Sequence, residues 1–390
     1  MEKLWNSNYC KVWTANFMIF FSFMLVTPLL PLYLSEAFGA DKDTIGLVLS
    51  GYTLTALLMR PFSGYLVDSF PRRVVLLTSY FLFFAMFAGY LVAGTLTLFA
   101  IVRTLHGGPM GAVTVANSTC AIDVLPSSRR AEGIGYYGLS NNLATSMAPT
   151  VGLLIYHSYA SYSLLFAAAM AVSCIGLCIN SRVKFPEKEI IPNKAPLSLD
   201  RFFLTKGWRQ AVCMLCIAFS YGVVSTYIAI YSKEVLGITT GSGLWFAVLC
   251  FGLMASRLVG ARTLRRGKIA ENASHGIFIS MFGYLLFATV HNAWGYYGAA
   301  LIVGLGNGHL WPAMQTMFVN LAHSNQRGTA NSTLLTSWDV GIGLGIILGG
   351  VIAEHLGYNA AFMAGWLVNV FGVLFFFLYA RGYYLKNKLR

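Results

Sequence analysis

The sequence predicts an all-α integral membrane protein, with twelve membrane-crossing helices arranged as two pseudo-symmetric bundles of six. Three observations predict it: an apolar composition, a series of spans of bilayer length, and a repeat at a nearly constant shift. Of 390 residues, 57% are hydrophobic and 11% charged, and the mean hydropathy is +0.64, far from the make-up of soluble domains. Runs of about 20 apolar residues, enough to cross roughly 30 Å of hydrocarbon as a helix, cover 12–34, 44–67, 74–94, 96–121, 131–155, 161–181, 209–232, 241–264, 272–291, 294–320, 327–352 and 358–381. The first run is too long for the core of a cleavable signal and no small-residue cleavage site follows it, so it is read as a membrane helix.

A formal net charge of +13 would suit nucleic acid if it were gathered on one surface. It is distributed by topology instead. With the N-terminus in the cytoplasm, almost all Lys and Arg fall on the cytoplasmic side: Lys3, Lys11, Arg72, Arg73, Arg129, Arg130, the basic residues of 182–209, Arg262, Arg265, Arg266, Lys268, Arg327, Lys386, Lys388 and Arg390. The opposite loops hold Lys42 and Lys233. This positive-inside pattern predicts a multi-pass protein of the plasma (inner) membrane with both termini cytoplasmic, surrounded by lipid and not by nucleic acid. The seven cysteines lie within or beside the spans; Cys213 and Cys216 form a CxxC with no second pair at metal-ligand spacing, so they read as buried small apolar residues and neither a metal site nor a disulfide framework is expected.

The long polar stretch 182–208, with Pro186, Pro192 and Pro196, reads as a cytoplasmic linker between an N-terminal bundle (1–181) and a C-terminal bundle (209–390). A shift of 197 places Arg60 on Arg257, Gly107 on Gly304, Gly111 on Gly308, Arg130 on Arg327 and Gly152 on Gly349, and a shift of 198 places Tyr33 and Glu36 on Tyr231 and Glu234. A near-constant shift across five spans indicates a duplicated six-helix unit. Internal duplication in a twelve-span chain is the pattern of secondary transporters, in which two similar halves alternate access to a site near the midplane.

The loop after the second span reads Gly64-Tyr-Leu-Val-Asp68-Ser-Phe-Pro-Arg72-Arg73. It resembles the GxLaDrxGrr loop of the major facilitator superfamily, with Pro71 where a glycine is usual. The resemblance implies that Asp68 faces the positive N-terminal end of the eleventh span and that Arg72 pairs with Asp123 at the end of the fourth, an anion being favoured at a helix N-terminus. The second copy of the loop, Gly260 to Lys268, keeps the basic residues and lacks the Asp, so it is not assigned a latch. The fourth span holds Arg103-Thr-Leu-His106-Gly107, similar to the RxxxG motif of the same superfamily. An arginine seven residues inside a span must face protein or a wet cavity, or snorkel to the surface; His106, one turn on, is either a working or a packing residue. The fifth span, with Gly138, Pro149 and Gly152, resembles the gxxxGPxxGG motif associated with exporters of the superfamily; generic helix packing also explains its glycines.

The first, seventh and tenth spans carry hydrogen-bonding and aromatic side chains on the helices expected to line a cavity: Phe23 and Thr27; Tyr221, Ser225 and Tyr227; Asn307, His309, Trp311 and Gln315. With Arg103, Asn142 and Trp338 they form the expected binding set for an amphipathic or partly aromatic solute. Asp339, set in the glycine-rich eleventh span and matched to Asn142 by the shift of 197, is the one carboxylate deep in a span among fourteen Asp and Glu. Three roles are open to it: proton or cation coupling with Arg103 and His106, direct contact with a cationic substrate, or a structural hydrogen bond.

The resemblance covers essentially the whole chain and implies a monomeric secondary transporter of a small molecule, powered by protons and needing no cofactor. Proton-coupled efflux, as in drug/proton antiporters and sugar-efflux permeases, is the favoured reading. The rivals are proton-coupled uptake of a metabolite or sugar, since the first span lacks the acid many exporters carry, and a non-transporting receptor or sensor, against which intact gating motifs and the absence of a soluble domain argue. No phosphate loop of the GxxxxGK type is present and no nucleophile–base pair can be assigned, so an enzyme is not expected.

Overall fold

The computed structural model describes residues 3–185, 199–238 and 243–389. Pro186, Pro192 and Pro196 of the expected linker, and Arg390, lie outside the described residues.

Among the described residues all regular structure is helical. In chain order the helices are α1 (Ser7–Val26), α2 (Leu30–Phe38), α3 (Lys42–Ser69), α4 (Arg72–Val92), α5 (Leu96–Val124), α6 (Arg130–Tyr159), α7 (Tyr162–Ser181), α8 (Trp208–Glu234), α9 (Gly243–Arg265), α10 (Ile269–Thr289), α11 (Ala293–Leu321), α12 (Arg327–Leu356), α13 (Tyr358–Phe375) and α14 (Arg381–Asn387). They make twelve spans, because the first and last are each built in two pieces. Pro28 and Pro31 remove backbone donors between α1 and α2, where a single 3₁₀ turn, Thr27–Leu29, interrupts the helix. A π-turn, Phe376–Ala380, joins α13 to α14.

Helix starts follow capping chemistry. Asn6, Asp41, Thr95, Ser161 and Asn292 each accept a first-turn N–H with a side-chain oxygen, at 2.9 to 3.3 Å. Eight spans are long and apolar enough to cross a membrane by hydropathy. The other four, α5, α6, α10 and α11, have 29, 30, 21 and 29 residues, and their hydropathy is diluted by polar residues that are buried: Arg103, His106 and Asn117 on α5, Glu132 on α6, Asn272 on α10, and Asn320 on α11.

The chain forms two compact units. The first comprises Met1–Ser127, Tyr137–Phe203 and Asn325–Ser332; the second comprises Ser128–Tyr136, Leu204–Ser324 and Thr333–Arg390. The first turns of α6 and α12 are therefore exchanged. α6 starts in the second unit and continues in the first, and α12 does the reverse.

The repeat is built into the packing of each unit. In the first, α5 crosses α3 where Gly107 and Gly111 lie on the carbonyls of Tyr52 and Ala56; in the second, α11 crosses α9 where Gly304 and Gly308 lie on those of Leu249 and Leu253. All four partners differ by 197 as well. A Cβ at any of these glycines would press into backbone oxygen, so the close crossing requires a residue without one.

Candidate functional site

At the end of α3, the Asp68 carboxylate reaches the exposed donors of the first turn of α12. Oδ1 accepts the Gly328 N–H at 2.9 Å and Oδ2 accepts the Thr329 N–H at 2.8 Å, with the Thr329 hydroxyl at 3.0 Å. Two of the four orphan N–H groups of that helix end are thereby satisfied by an anion lying on its positive pole. Gly64, one turn earlier on α3, lets the helices touch: a Cβ there would stand 2.7 Å from the Ser332 Cβ, and one on Gly328 would stand 2.7 Å from the Gly64 carbonyl oxygen. Arg72 pairs with Asp123 at the end of α5 and lies 3.6 Å from Asp68, while Arg327 donates to the other Asp123 oxygen at 2.6 Å. All four charged side chains are at most 12% exposed. Asp68, Arg72, Asp123 and Gly64 thus meet in one cluster, joined by Arg327, Gly328 and Thr329.

The linker end seals this junction. Asp200 accepts from Gln326 at 2.8 Å, the Arg201 carbonyl lies 3.1 Å from the Thr329 hydroxyl, and Phe202 packs on Phe62 and Tyr65 at 5.6 and 5.2 Å.

The second unit has a counterpart with its charges exchanged. Glu132, in the first turn of α6, accepts from Arg265 at the end of α9 (2.6 and 3.2 Å) and from Arg129 (2.9 and 3.0 Å), two planar forks on one carboxylate. Arg257 donates to the Gly135 carbonyl at 2.5 Å, as Ser332 donates to the Arg60 carbonyl at 2.5 Å in the first unit. A cavity of about 10 Å³ beside Glu132, Asn272 and Arg257 is the size of one water. The sequence reading missed Glu132 because it sought the acid within the loop. The shift of 197 would have found it, since it carries Asp68 to Arg265 and Glu132 to Thr329.

Arg103 and His106 form a buried cluster inside the first unit. Arg103 is 2% exposed; its guanidinium lies 4.2 Å from the Tyr52 ring centroid and 5.4 Å from that of Phe23, and these two rings stack at 5.0 Å. It donates to the Tyr90 hydroxyl at 3.3 Å, and that hydroxyl lies 2.7 Å from His106 Nδ1. The Tyr90 hydroxyl thus accepts from Arg103 and shares a second hydrogen bond with His106, in which the imidazole tautomer sets the donor. Tyr52 and Tyr90 were not singled out in the sequence, where 21 Tyr and 28 Phe give no pattern that separates box from packing.

The remaining candidates fall in different places. In the second unit, Tyr221, Trp338 and Trp311 form an aromatic trio, with Trp338 5.6 Å from Tyr221 and 5.0 Å from Trp311. Asp339 follows Trp338 on α12, half-buried and engaged with a partner. Asn307 and Gln315 are buried on α11; Ser225 is half-buried on α8 and Asn142 on α6. His309 places Nδ1 2.9 Å from the Leu305 carbonyl and packs its ring towards Gly260. The Tyr227 hydroxyl donates to the Ile346 carbonyl at 2.7 Å. Thr27 donates to the Phe23 carbonyl at 2.7 Å in the break between α1 and α2. Pro149 lies inside α6, and Gly152 packs on the Leu25 carbonyl. Among the described residues no group of three His, Cys, Asp or Glu could hold a metal ion.

Paired spans, exchanged first turns and an acid on the pole of α12 define a duplicated membrane transporter. The family model of the Major Facilitator Superfamily matches residues 12–273 and 273–388. The chain belongs to this superfamily, an integral, multi-pass membrane transporter of small molecules and not an enzyme. It is 22% identical to the staphylopine export protein of Staphylococcus aureus, over 94% of this chain and 95% of that protein. It is 23% identical to the multidrug resistance protein MdtG of a Rahnella species, over 94% and 92%. In fold it resembles the solved structure of the fucose:proton symporter FucP of E. coli, with a TM-score of 0.81 at 16% identity over 96% and 98% of the two chains.

Proposed function

We propose that the chain exports a small amphipathic solute by alternating access in exchange for protons, as a monomer in the plasma membrane with both termini cytoplasmic. One observation carries the reading: α12 bears both the turn held by Asp68 and the deep carboxylate Asp339. The two lie ten residues apart, roughly 15 Å along the same helix. Protonation neutralises Asp339 and favours the conformation that shields it from water; deprotonation favours the one that hydrates it. A rigid helix transmits that preference to the junction, where Asp68, Arg72 and Asp123 act as a latch that must open in each cycle. The functions of the similar proteins, staphylopine export and multidrug resistance, support efflux.

The test is solute flux in proteoliposomes with and without an imposed pH gradient. Asp339→Asn, which copies the residue of the first half, is expected to bind and to exchange solute downhill while losing gradient-driven accumulation. Unchanged accumulation would leave Asp339 a structural hydrogen-bonding residue. The sign of the flux separates efflux from the rival, proton-coupled uptake, which the lack of an acid in α1 favours: an antiporter moves solute against the proton flow and a symporter with it. Binding without any flux would identify a receptor.

A further inference from the structure

At the two junctions five arginines meet a partner of full or partial negative charge. Arg72 and Arg327 share Asp123, Arg129 and Arg265 share Glu132, and Arg257 donates to a backbone carbonyl. Arg103 differs. It is the most deeply buried of the six by residue exposure, no described carboxylate forms an ion pair with it, and its one hydrogen bond runs to a neutral phenol at 3.3 Å; its Nε, like those of Arg72 and Arg327, has no partner. The faces of Tyr52 and Phe23 stabilise the cation, but ring quadrupoles replace only part of what water or an anion would provide. A guanidinium offers five N–H donors in a planar fork; here one terminal nitrogen has the Tyr90 hydroxyl and the buried Nε–H has no acceptor.

We propose that Arg103 is the anchor for a carboxylate of the transported solute, which makes the substrate class organic acids or zwitterions that carry an aromatic or other flat apolar group. This rests on the reading of the chain as a small-solute transporter. Two coplanar carboxylate oxygens match the guanidinium fork, whereas a lone cationic or neutral solute would leave the buried charge as it is. The Phe23–Tyr52 stack supplies the apolar wall beside the fork. The Tyr90 hydroxyl holds one guanidinium nitrogen, and His106 in turn holds that hydroxyl.

The proposal makes an unusual prediction for the ligand-free protein, because a binding group kept without its counter-ion is a source of instability. In full-length protein purified in detergent, Arg103→Gln is expected to raise the midpoint of thermal unfolding above that of the parent. A fall would show that the charge is neutralised or needed within the fold, and would overturn the proposal. The second measurement uses 3-phenylpropionate, its primary amide and 3-phenylpropylamine as probes. For the parent protein the carboxylate is expected to protect against unfolding with at least about tenfold greater apparent affinity than either of the others. Arg103→Lys, which keeps the charge and loses the fork, is expected to reduce that preference, and Arg103→Gln to abolish it. Failure of the carboxylate to protect, or equal protection by the amide, overturns the proposal. Transport fails independently: carboxylate-selective protection without flux in proteoliposomes would sink the transporter reading and leave the anion site standing.

Discussion

In the first unit the acid sits on α3, and the receiving helix end offers two backbone N–H groups and the Thr329 hydroxyl; in the second the acid has moved to the receiving helix, and α9 offers a guanidinium. The register is the same in both, for Asp68 and Thr329 lie 197 residues from Arg265 and Glu132 respectively. The chemistry is not. Asp68 is 9% exposed and meets fixed peptide dipoles behind two touching glycines. Arg265 is 54% exposed and swings on a flexible stem, while Ala261 and Ala131 occupy the positions matching Gly64 and Gly328. A duplicated scaffold thus fixes where two helices meet and leaves open what joins them. The buried first junction is therefore expected to respond less to salt than the second, which is partly an exposed ion pair.

The sharpest way to break the comparison is Glu132→Gln. It leaves Arg129 and Arg265, 28% and 54% exposed, around a neutral group at a position 1% exposed, and weakening two charge-assisted forks at once costs about 3 kcal/mol. Thermal unfolding in detergent should fall by more than for any other single change at either junction.

Asp68→Asn comes next, at about 2 kcal/mol, because the amide keeps one acceptor and loses the charge on both N–H contacts. Transport should drop about tenfold while solute affinity in detergent stays near that of the parent. Equal loss of both would mean that Asp68 does not act through gating.

Gly328→Ala and Gly135→Ala test the backbone contact itself. A Cβ at 328 meets backbone oxygen at 2.7 Å, whereas one at 135 has nothing nearer than 3.7 Å. The first should cost about 1–2 kcal/mol and slow transport; the second should be close to neutral by both measures.

The smallest effect is expected from Arg265→Gln, under about 1 kcal/mol, since Arg129 still neutralises Glu132 and the pair is open to solvent. Its cost should shrink as NaCl is raised from 0.05 to 1 M, and the cost of Asp68→Asn should shrink less. If both respond alike to salt, the two junctions are electrostatically equivalent after all.

The spans were legible in the sequence because a bilayer imposes a length and a polarity on every crossing helix, and the duplication because its glycines are fixed by close crossings, such as Gly107 on Tyr52 and Gly304 on Leu249. The break at Thr27–Leu29 was also written there, in Pro28 and Pro31, within a run read as one helix. The exchange of first turns had no local signal, since Arg130 and Arg327 begin ordinary helices and only tertiary contact decides which bundle receives them. The surroundings of the candidate residues were illegible for a similar reason. Whether the Tyr227 hydroxyl points into a pocket or to the Ile346 carbonyl depends on the rotation of α8 about its axis, which composition does not report. Arg103 was found because a charge in a span must be accounted for, and its aromatic box was not, because aromatic rings are common in every span.

The exchanged first turns also set a timetable for biogenesis. Glu132 leaves the ribosome 133 residues before Arg265, and Asp68 leaves it 260 residues before Gly328. At about 5–20 residues per second the first wait lasts roughly 7–27 s and the second roughly 13–50 s. During the longer wait Asp68 has Arg72 beside it but not yet the N–H groups of α12, and during the shorter one Glu132 has Arg129 but not yet Arg265. Of the two contacts, the one at Asp68 is the later to become possible, because the turn that receives it is made last.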